Sequence, residues 1–191
     1  MNFNELGLEE ALLKAVKELG FEEPTLIQEK AIPTLLTEDR DLVGLAQTGT
    51  GKTAAFGLPL LQKVDPTLKK VQGLVLSPTR ELCMQIAEDL SRFGKYKRVS
   101  TVAVYGGASI DRQISAIKRG GQVIIATPGR LNDLIKRKAI NLSEVEVAIL
   151  DEADEMLNMG FKDELDAILS KTPQEKNTCL LYTSPSPRDR G

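Results

Sequence analysis

Residues Ala46 to Thr53 read A-Q-T-G-T-G-K-T, inside the longer run "LVGLAQTGTGKTAAF". A loop of this kind does phosphate chemistry. Gly49 and Gly51 let successive backbone N–H groups turn inward and form an anion-binding concavity. A helix beginning at Lys52 adds its positive end. The Lys52 ammonium reaches the β- and γ-phosphates of a nucleotide, and the Thr53 hydroxyl is placed to bind Mg²⁺. The usual pattern is G-x-x-x-x-G-K-[ST], and here Ala46 stands at its first glycine. That exchange matters little where the position needs no positive φ; Gly51, before the lysine, is the indispensable one. The same letters would also suit an ordinary strand-turn-helix junction.

A second group of acids begins abruptly after four apolar residues: Asp151-Glu152-Ala153-Asp154 follows "VAIL". A carboxylate at the end of a buried strand suits a metal, so Asp151 is read as holding Mg²⁺ or its waters and Glu152 as polarising an attacking water. An acidic helix N-terminus is the competing reading, and it suits Asp154 and Glu155 well. Lys52, Asp151 and Glu152 together point to nucleotide hydrolysis.

These loops need a scaffold. Short β-rich runs, "DLVGLA", "VQGLVLS", "STVAVY", "QVIIAT" and "VEVAIL", alternate with helical segments over Lys52–Val64, Arg80–Gly94, Ser109–Arg119, Pro128–Arg137 and Asp154–Gly160. "LVL", "VIIA" and "VAIL" are apolar at consecutive positions, as strands covered on both faces are. The alternation predicts an α/β fold with a parallel sheet and helices on both faces. Ligands in such folds sit beyond the carboxyl ends of the strands, where these loops lie. Upstream, "LEEALLKAVKELG" is an amphipathic helix stopped by Gly20; Pro24 opens a second, which Pro33 breaks or restarts.

Composition narrows the chemistry. At 191 residues, 41% hydrophobic and 27% charged, the chain suits one soluble domain. It contains no histidine, which removes His-based triads, His metal sites and His general bases. A net charge of -2 gives no overall basic field, so a nucleic acid must be held locally. Cys83 and Cys179 lie far apart, with no metal-ligand spacing. With no signal segment and no membrane-length apolar run, the chain is read as cytoplasmic.

Taken in order, these motifs resemble the DEAD-box ATP-dependent RNA helicases of bacterial type, over residues 1 to about 178. "AQTGTGKT" is that family's form of the phosphate loop, alanine included, and "DEAD" at Asp151–Asp154 gives the family its name. "GFEEPTLIQ", Gly20 to Gln28, is similar to its Q motif. "PTREL" (Pro78–Leu82), "GG" (Gly106–Gly107) and "TPGR" (Thr127–Arg130) are similar to its RNA-contacting motifs. The resemblance implies a RecA-like lobe with ATP and Mg²⁺ as cofactors. It implies nucleotide contacts from Phe21, Thr25, Gln28 and Ala46, Gln47, Thr48, Gly49, Thr50, Gly51, Lys52 and Thr53. It implies RNA contacts from Pro78, Thr79, Arg80, Gly106, Gly107, Thr127, Pro128, Gly129 and Arg130, and a coupling role for Asp154 between lobes. The Gln28 amide both donates and accepts, as the adenine edge requires. Phe21 can cover the adenine face, with Phe3 in the same pocket; packing on the preceding helix is the other role open to Phe21. Hydroxyls, helix N-termini and arginines make a phosphate track that reads backbone more than base. Arg80 and Arg130 are equally compatible with solvated first-turn positions.

The resemblance divides the chain into a Q-motif region (1–36), a RecA-like ATP-binding lobe (37–178) and a tail (179–191). The family's S-A-T motif should follow "PQEKNT", yet the sequence continues "CLLYTSPSPRDRG". Thr183-Ser184 is a poor match, and Pro185 and Pro187 would block a central strand. "CLLYTSPSPRD" back-translates without mismatch into a transposon-end adapter of sequencing libraries, so the tail is expected to be non-native; a natural Pro/Ser linker is the alternative. "CLLY" can still pair as a strand, and no packed structure is expected from Thr183 onward. The coupling motif, the arginine fingers and the second lobe are thus expected to be missing, leaving a fragment without turnover. A stand-alone nucleotide-dependent RNA- or protein-binding module is the other function considered. A DNA-acting ATPase is disfavoured by the Q motif.

Overall fold

The computed structural model describes residues 1–37, 41–45 and 51–183. After a short 3₁₀ turn at Phe3–Glu5, helices α1 (Glu10–Glu18) and α2 (Leu26–Thr37) lead into strand β1 (Leu42–Leu45). Strand and helix then alternate: α3 (Lys52–Lys63), β2 (Gly73–Leu76), α4 (Arg80–Phe93), β3 (Thr101–Val104), α5 (Ile110–Lys118), β4 (Val123–Ala126) and α6 (Pro128–Lys136). Strand β5 (Val147–Leu150) is followed by α7 (Ala153–Asn158), α8 (Lys162–Leu169) and β6 (Asn177–Tyr182).

The strands form one parallel sheet in the order β1-β6-β5-β2-β4-β3. Every residue of β2, β4 and β5 is buried, as their unbroken apolar runs require. Alternation along each strand splits their side chains between two cores. Val75, Ile125 and Ile149 pack with Phe56, Leu58 and Leu90 from α3 and α4. Leu74, Leu76, Ile124 and Leu150 face Leu131, Leu134 and Ile168 from α6 and α8. Truncating one such side chain to alanine costs about 2–5 kcal/mol. The parallel sheet with helices on both faces is the architecture anticipated from the strand-helix alternation. Among the described residues no helix is long and apolar enough to cross a membrane.

Three local expectations need correction. Pro33 does not break the second helix; it sits inside α2, where it has no N–H to donate to the preceding turn. Thr34 and Thr37 hydroxyls donate to the Lys30 and Pro33 carbonyls on the same helix. Helix α8 was not anticipated: its buried apolar residues, Leu165 and Ile168, make too short a stripe to stand out. Thr183 is packed. Its N–H donates to Asp154 Oδ1 at 3.0 Å, and its hydroxyl lies 2.9 Å from Oδ2. Residues 184–191 lie outside the described residues, so the expectation for the rest of the tail has no structural counterpart there. Strand β6 pairs in register with both neighbours, Cys179 opposite Leu42 and Ile149, as "CLLY" allowed.

Candidate functional site

The carboxyl ends of all six strands share one edge, and the chemistry-bearing residues gather there. Ala46, Gln47, Thr48, Gly49 and Thr50 lie outside the described residues; the end of their loop does not. Gly51 has φ +80°, the left-handed region that favours glycine. A Cβ there would come 2.3 Å from Gln28 Nε2 and 3.0 Å from Thr25 Oγ1, so no other residue fits without displacing them.

Gln28 reaches that position from α2. Its side chain accepts from the Thr25 N–H (2.9 Å), while the Gln28 N–H points to Thr25 Oγ1 at 3.4 Å. This is a capping box, T-x-x-Q, at the start of α2. Nε2 then donates to the Gly51 carbonyl at 3.2 Å, in a position where Gln28 is 2% exposed. One amide hydrogen and one oxygen lone pair remain for a ligand. Phe21 is half-exposed, held by Phe3 (ring centroids 6.2 Å) and by the edge of Phe93 (5.9 Å). One side of Phe21 packs on Phe3 and Phe93, the alternative role, and the other is open. Phe3 is buried behind it in the core.

Lys52 and Thr53 open α3. The Lys52 ammonium is 3.0 Å from Asp151 Oδ1; the lysine side chain is 10% exposed and the aspartate fully buried. Strand β6 runs between β1 and β5, so this pair closes over it. Among the described residues neither oxygen of Asp151 has a hydrogen bond of good geometry; the carboxylate is held by charge, chiefly from Lys52. Burial raises its pKa, and the ammonium opposes that rise. Glu152, next in sequence, adopts φ 53° and ψ 49°, a strained conformation for a non-glycine residue. Burial also raises its pKa, against Lys52 and reinforced by Asp151. A cavity of about 420 Å³ joins these parts, lined by Phe21, Gly51, Lys52, Thr53, Asp89 and Glu152. Asp89, on α4, has its pKa raised by burial and accepts from Gln85 at 3.1 Å.

The remaining singled-out residues cluster beyond β2, β4 and β3. Pro78 is buried; Thr79 caps α4 by accepting the Leu82 N–H (3.2 Å), and Arg80 is exposed. Arg80 lies 5.1 Å from the Tyr105 ring centre. Gly107, at φ +85°, leaves room beside Arg80: a Cβ would stand 3.0 Å from Nη1. Thr127 caps α6 without using its hydroxyl, and Pro128 fills the first helical position. Gly106 and Gly129 are exposed. Arg130 is not a free solvated residue: Nη1 donates to the Ala108 carbonyl (3.1 Å) and to Gln113 Oε1 (3.0 Å). Asp154 is tied to Thr183, on the same edge. Reading the sequence missed Gln113 and Tyr105. The available signal was a glutamine on the buried stripe of α5, beside Ile117.

Known proteins resemble the chain throughout. The DEAD/DEAH box helicase family profile matches residues 25–189. The DEAD-box ATP-dependent RNA helicase CshA of Bacillus cereus is 53% identical over 186 residues, covering 97% of this chain and 35% of that protein. CshA of Streptococcus pneumoniae is 52% identical over 187 residues, with 98% and 35% covered. The chain thus spans about a third of these curated relatives. The crystal structure of a DEAD box protein from the hyperthermophile Methanococcus jannaschii superposes with TM-score 0.93 at 41% identity, covering 100% of this chain and 52% of that one. S. cerevisiae Dbp5 bound to RNA and ADP BeF3 gives 0.89 at 34% identity, covering 99% and 48%.

Proposed function

The chain belongs to the DEAD/DEAH box helicase family, and from that premise we propose that it is the ATP-binding lobe of an ATP-dependent RNA helicase. The single observation that carries this reading is the buried Lys52–Asp151 pair, opening with Glu152 onto the cavity edged by Phe21. Adenine sits against Phe21, and the free hydrogen and lone pair of Gln28 read its edge. Phosphates arriving at the first turn of α3 draw the Lys52 ammonium away from Asp151. They substitute for a counterion already partly desolvated, which makes their charge effective.

The residues present fit Mg²⁺. Asp151 is a buried carboxylate whose oxygens lack good hydrogen bonds, and Thr53 offers a hydroxyl on the adjoining helix turn. A single carboxylate, a hydroxyl and substrate phosphates are an ordinary Mg²⁺ donor set. Held by Asp151 and Thr53, the ion would supply positive charge to offset that on the phosphate oxygens. Glu152, ionised, polarises the attacking water. The strained backbone at Glu152 fixes where that carboxylate points.

RNA backbone lies along the edge formed by exposed Thr79, Arg80 and Gly107 and half-buried Thr127 and Arg130, which contacts phosphate and so reads little sequence. The relatives are about three times longer, and hydrolysis is proposed to need a second RecA-like lobe that supplies arginine fingers. A cytoplasmic location is part of the proposal. The test is ATP turnover with single-stranded RNA, in this chain alone and joined to a second RecA-like lobe from a bacterial relative. RNA-stimulated turnover is expected only in the joined protein, and Glu152→Gln should abolish it while ATP still binds. Normal turnover in that variant would assign the water to another group.

A further inference from the structure

Arg80 and Arg130 stand on different helices, α4 and α6, after strands β2 and β4. Nothing in their own helices fixes one relative to the other. The loop after β3 does. The Tyr105 ring lies under the Arg80 guanidinium at 5.1 Å. The Tyr105 carbonyl accepts from Gln113 Nε2 at 3.0 Å. Gln113 Oε1 accepts from Arg130 Nη1 at 3.0 Å, and the same Nη1 donates to the Ala108 carbonyl at 3.1 Å. Gln113 is 7% exposed, and each end of its amide is engaged. One buried side chain therefore joins the backbone beneath one arginine to the head of the other.

We propose that Gln113 and Tyr105 are positioning residues that hold Arg80 and Arg130 as a single phosphate-binding rim. The inference rests on the RNA reading above and assigns residues that no motif in the sequence marked. Neither residue needs to touch RNA. Tyr105 stacks on Arg80 through its ring, leaving the guanidinium edge outward for phosphate oxygens. Gln113 occupies Nη1 of Arg130 and leaves the other guanidinium N–H groups at the surface. Ordering the two arginines before RNA arrives lowers the entropy lost on binding. Without the bracket, the loop Tyr105–Ala108 and Arg130 relax separately, and the phosphate spacing they present is no longer fixed.

The test is fluorescence anisotropy of a labelled oligouridylate at low salt, with the 191-residue chain, beside calorimetric ADP titration of each variant. Gln113→Met should weaken oligouridylate binding about tenfold, the scale for losing a hydrogen bond to a charged group. Tyr105→Leu should weaken it about two- to fivefold, the scale for an exposed cation–π contact. Tyr105→Phe, which keeps ring and carbonyl, should restore binding relative to Leu. ADP affinity should stay at the unsubstituted value in all three. Arg130→Met should add little in the Gln113→Met background, because Gln113 acts through it. Should Gln113→Met fail to fold, the Tyr105→Leu and Tyr105→Phe pair carries the test: weaker oligouridylate binding in Leu than in Phe, at unchanged ADP affinity, is expected, and equal binding in the two would overturn the proposal. A merely structural role would lower ADP and oligouridylate affinity together and add fully to Arg130→Met, overturning the proposal. Unchanged oligouridylate affinity in Gln113→Met, with a loss in Arg80→Gln, would overturn it while leaving the RNA reading intact. No binding of oligouridylate by the unsubstituted chain would overturn both.

Discussion

Replacing Lys52 by methionine should destabilise the fold as well as weaken nucleotide binding. As a cleft lysine, its loss would leave the fold intact; as the counterion of a fully buried carboxylate, it cannot. At 3.0 Å, with an effective dielectric near 20, the gross attraction in the Lys52–Asp151 pair is about 5 kcal/mol. Breaking a buried pair by removing one partner costs about 3–5 kcal/mol, a large share of the 5–15 kcal/mol that holds a typical domain. Methionine keeps the length of the lysine stem, so the cost isolates the charge. The pH dependence follows from Asp151, whose pKa burial already raises. A carboxyl with a higher pKa folded than unfolded binds more protons when folded. Its contribution is present below the unfolded value and is lost as pH rises through the folded value. Lys52→Met removes the opposing ammonium and raises the folded pKa further. The stability gap between variant and parent should therefore be small in acid, widen from the ordinary carboxylate range upward, and level off above the variant's folded value. Urea denaturation followed by far-UV circular dichroism measures it, the chain having no tryptophan. The double variant Lys52→Met/Asp151→Asn should recover most of the loss and show no such pH dependence. A pH-independent loss, or no recovery in the double variant, would refute the reasoning.

Gly51→Ala should cost about 1–2 kcal/mol in left-handed strain plus about 1 kcal/mol for each Gln28 bond displaced by the new Cβ. Both the urea midpoint and ADP affinity should fall; an unchanged pair of values would mean the junction of Gly51 with Gln28 carries no constraint. For the tail, the chromosomal reading frame is expected to depart from this chain after Thr178. Sequencing the locus checks it: the codons for Cys179–Gly191 contiguous with Thr178 would make the segment native.

The sheet was legible because strands buried on both faces must be apolar at every position, and "LVL", "VIIA" and "VAIL" are. Gly51 was legible because its geometry is encoded in adjacent residues; the T-x-x-Q box is just as local, but Thr25 and Gln28 read from sequence only as nucleotide contacts. What spacing could not show is packing across the chain. Lys52 reads as a solvated phosphate ligand until Asp151 is seen beneath it, 99 positions later, with β6 between their strands. Arg130 reads as an exposed first-turn residue until the loop after β3 and Gln113 close on it. Pro33 reads as a break because propensity counts the lost bond and not the tertiary contacts that hold α2 against α3.

The account turns on whether the cavity beside Lys52 is an adenine-nucleotide site. Calorimetric titration of the 191-residue chain with ADP and with GDP tests it most directly, repeated in Gln28→Ala. ADP should bind more tightly than GDP, because guanine leaves the remaining Gln28 groups unpaired at about 1–3 kcal/mol, and Gln28→Ala should narrow the difference. Equal affinities in the unsubstituted chain, or no binding of either nucleotide, would contradict it.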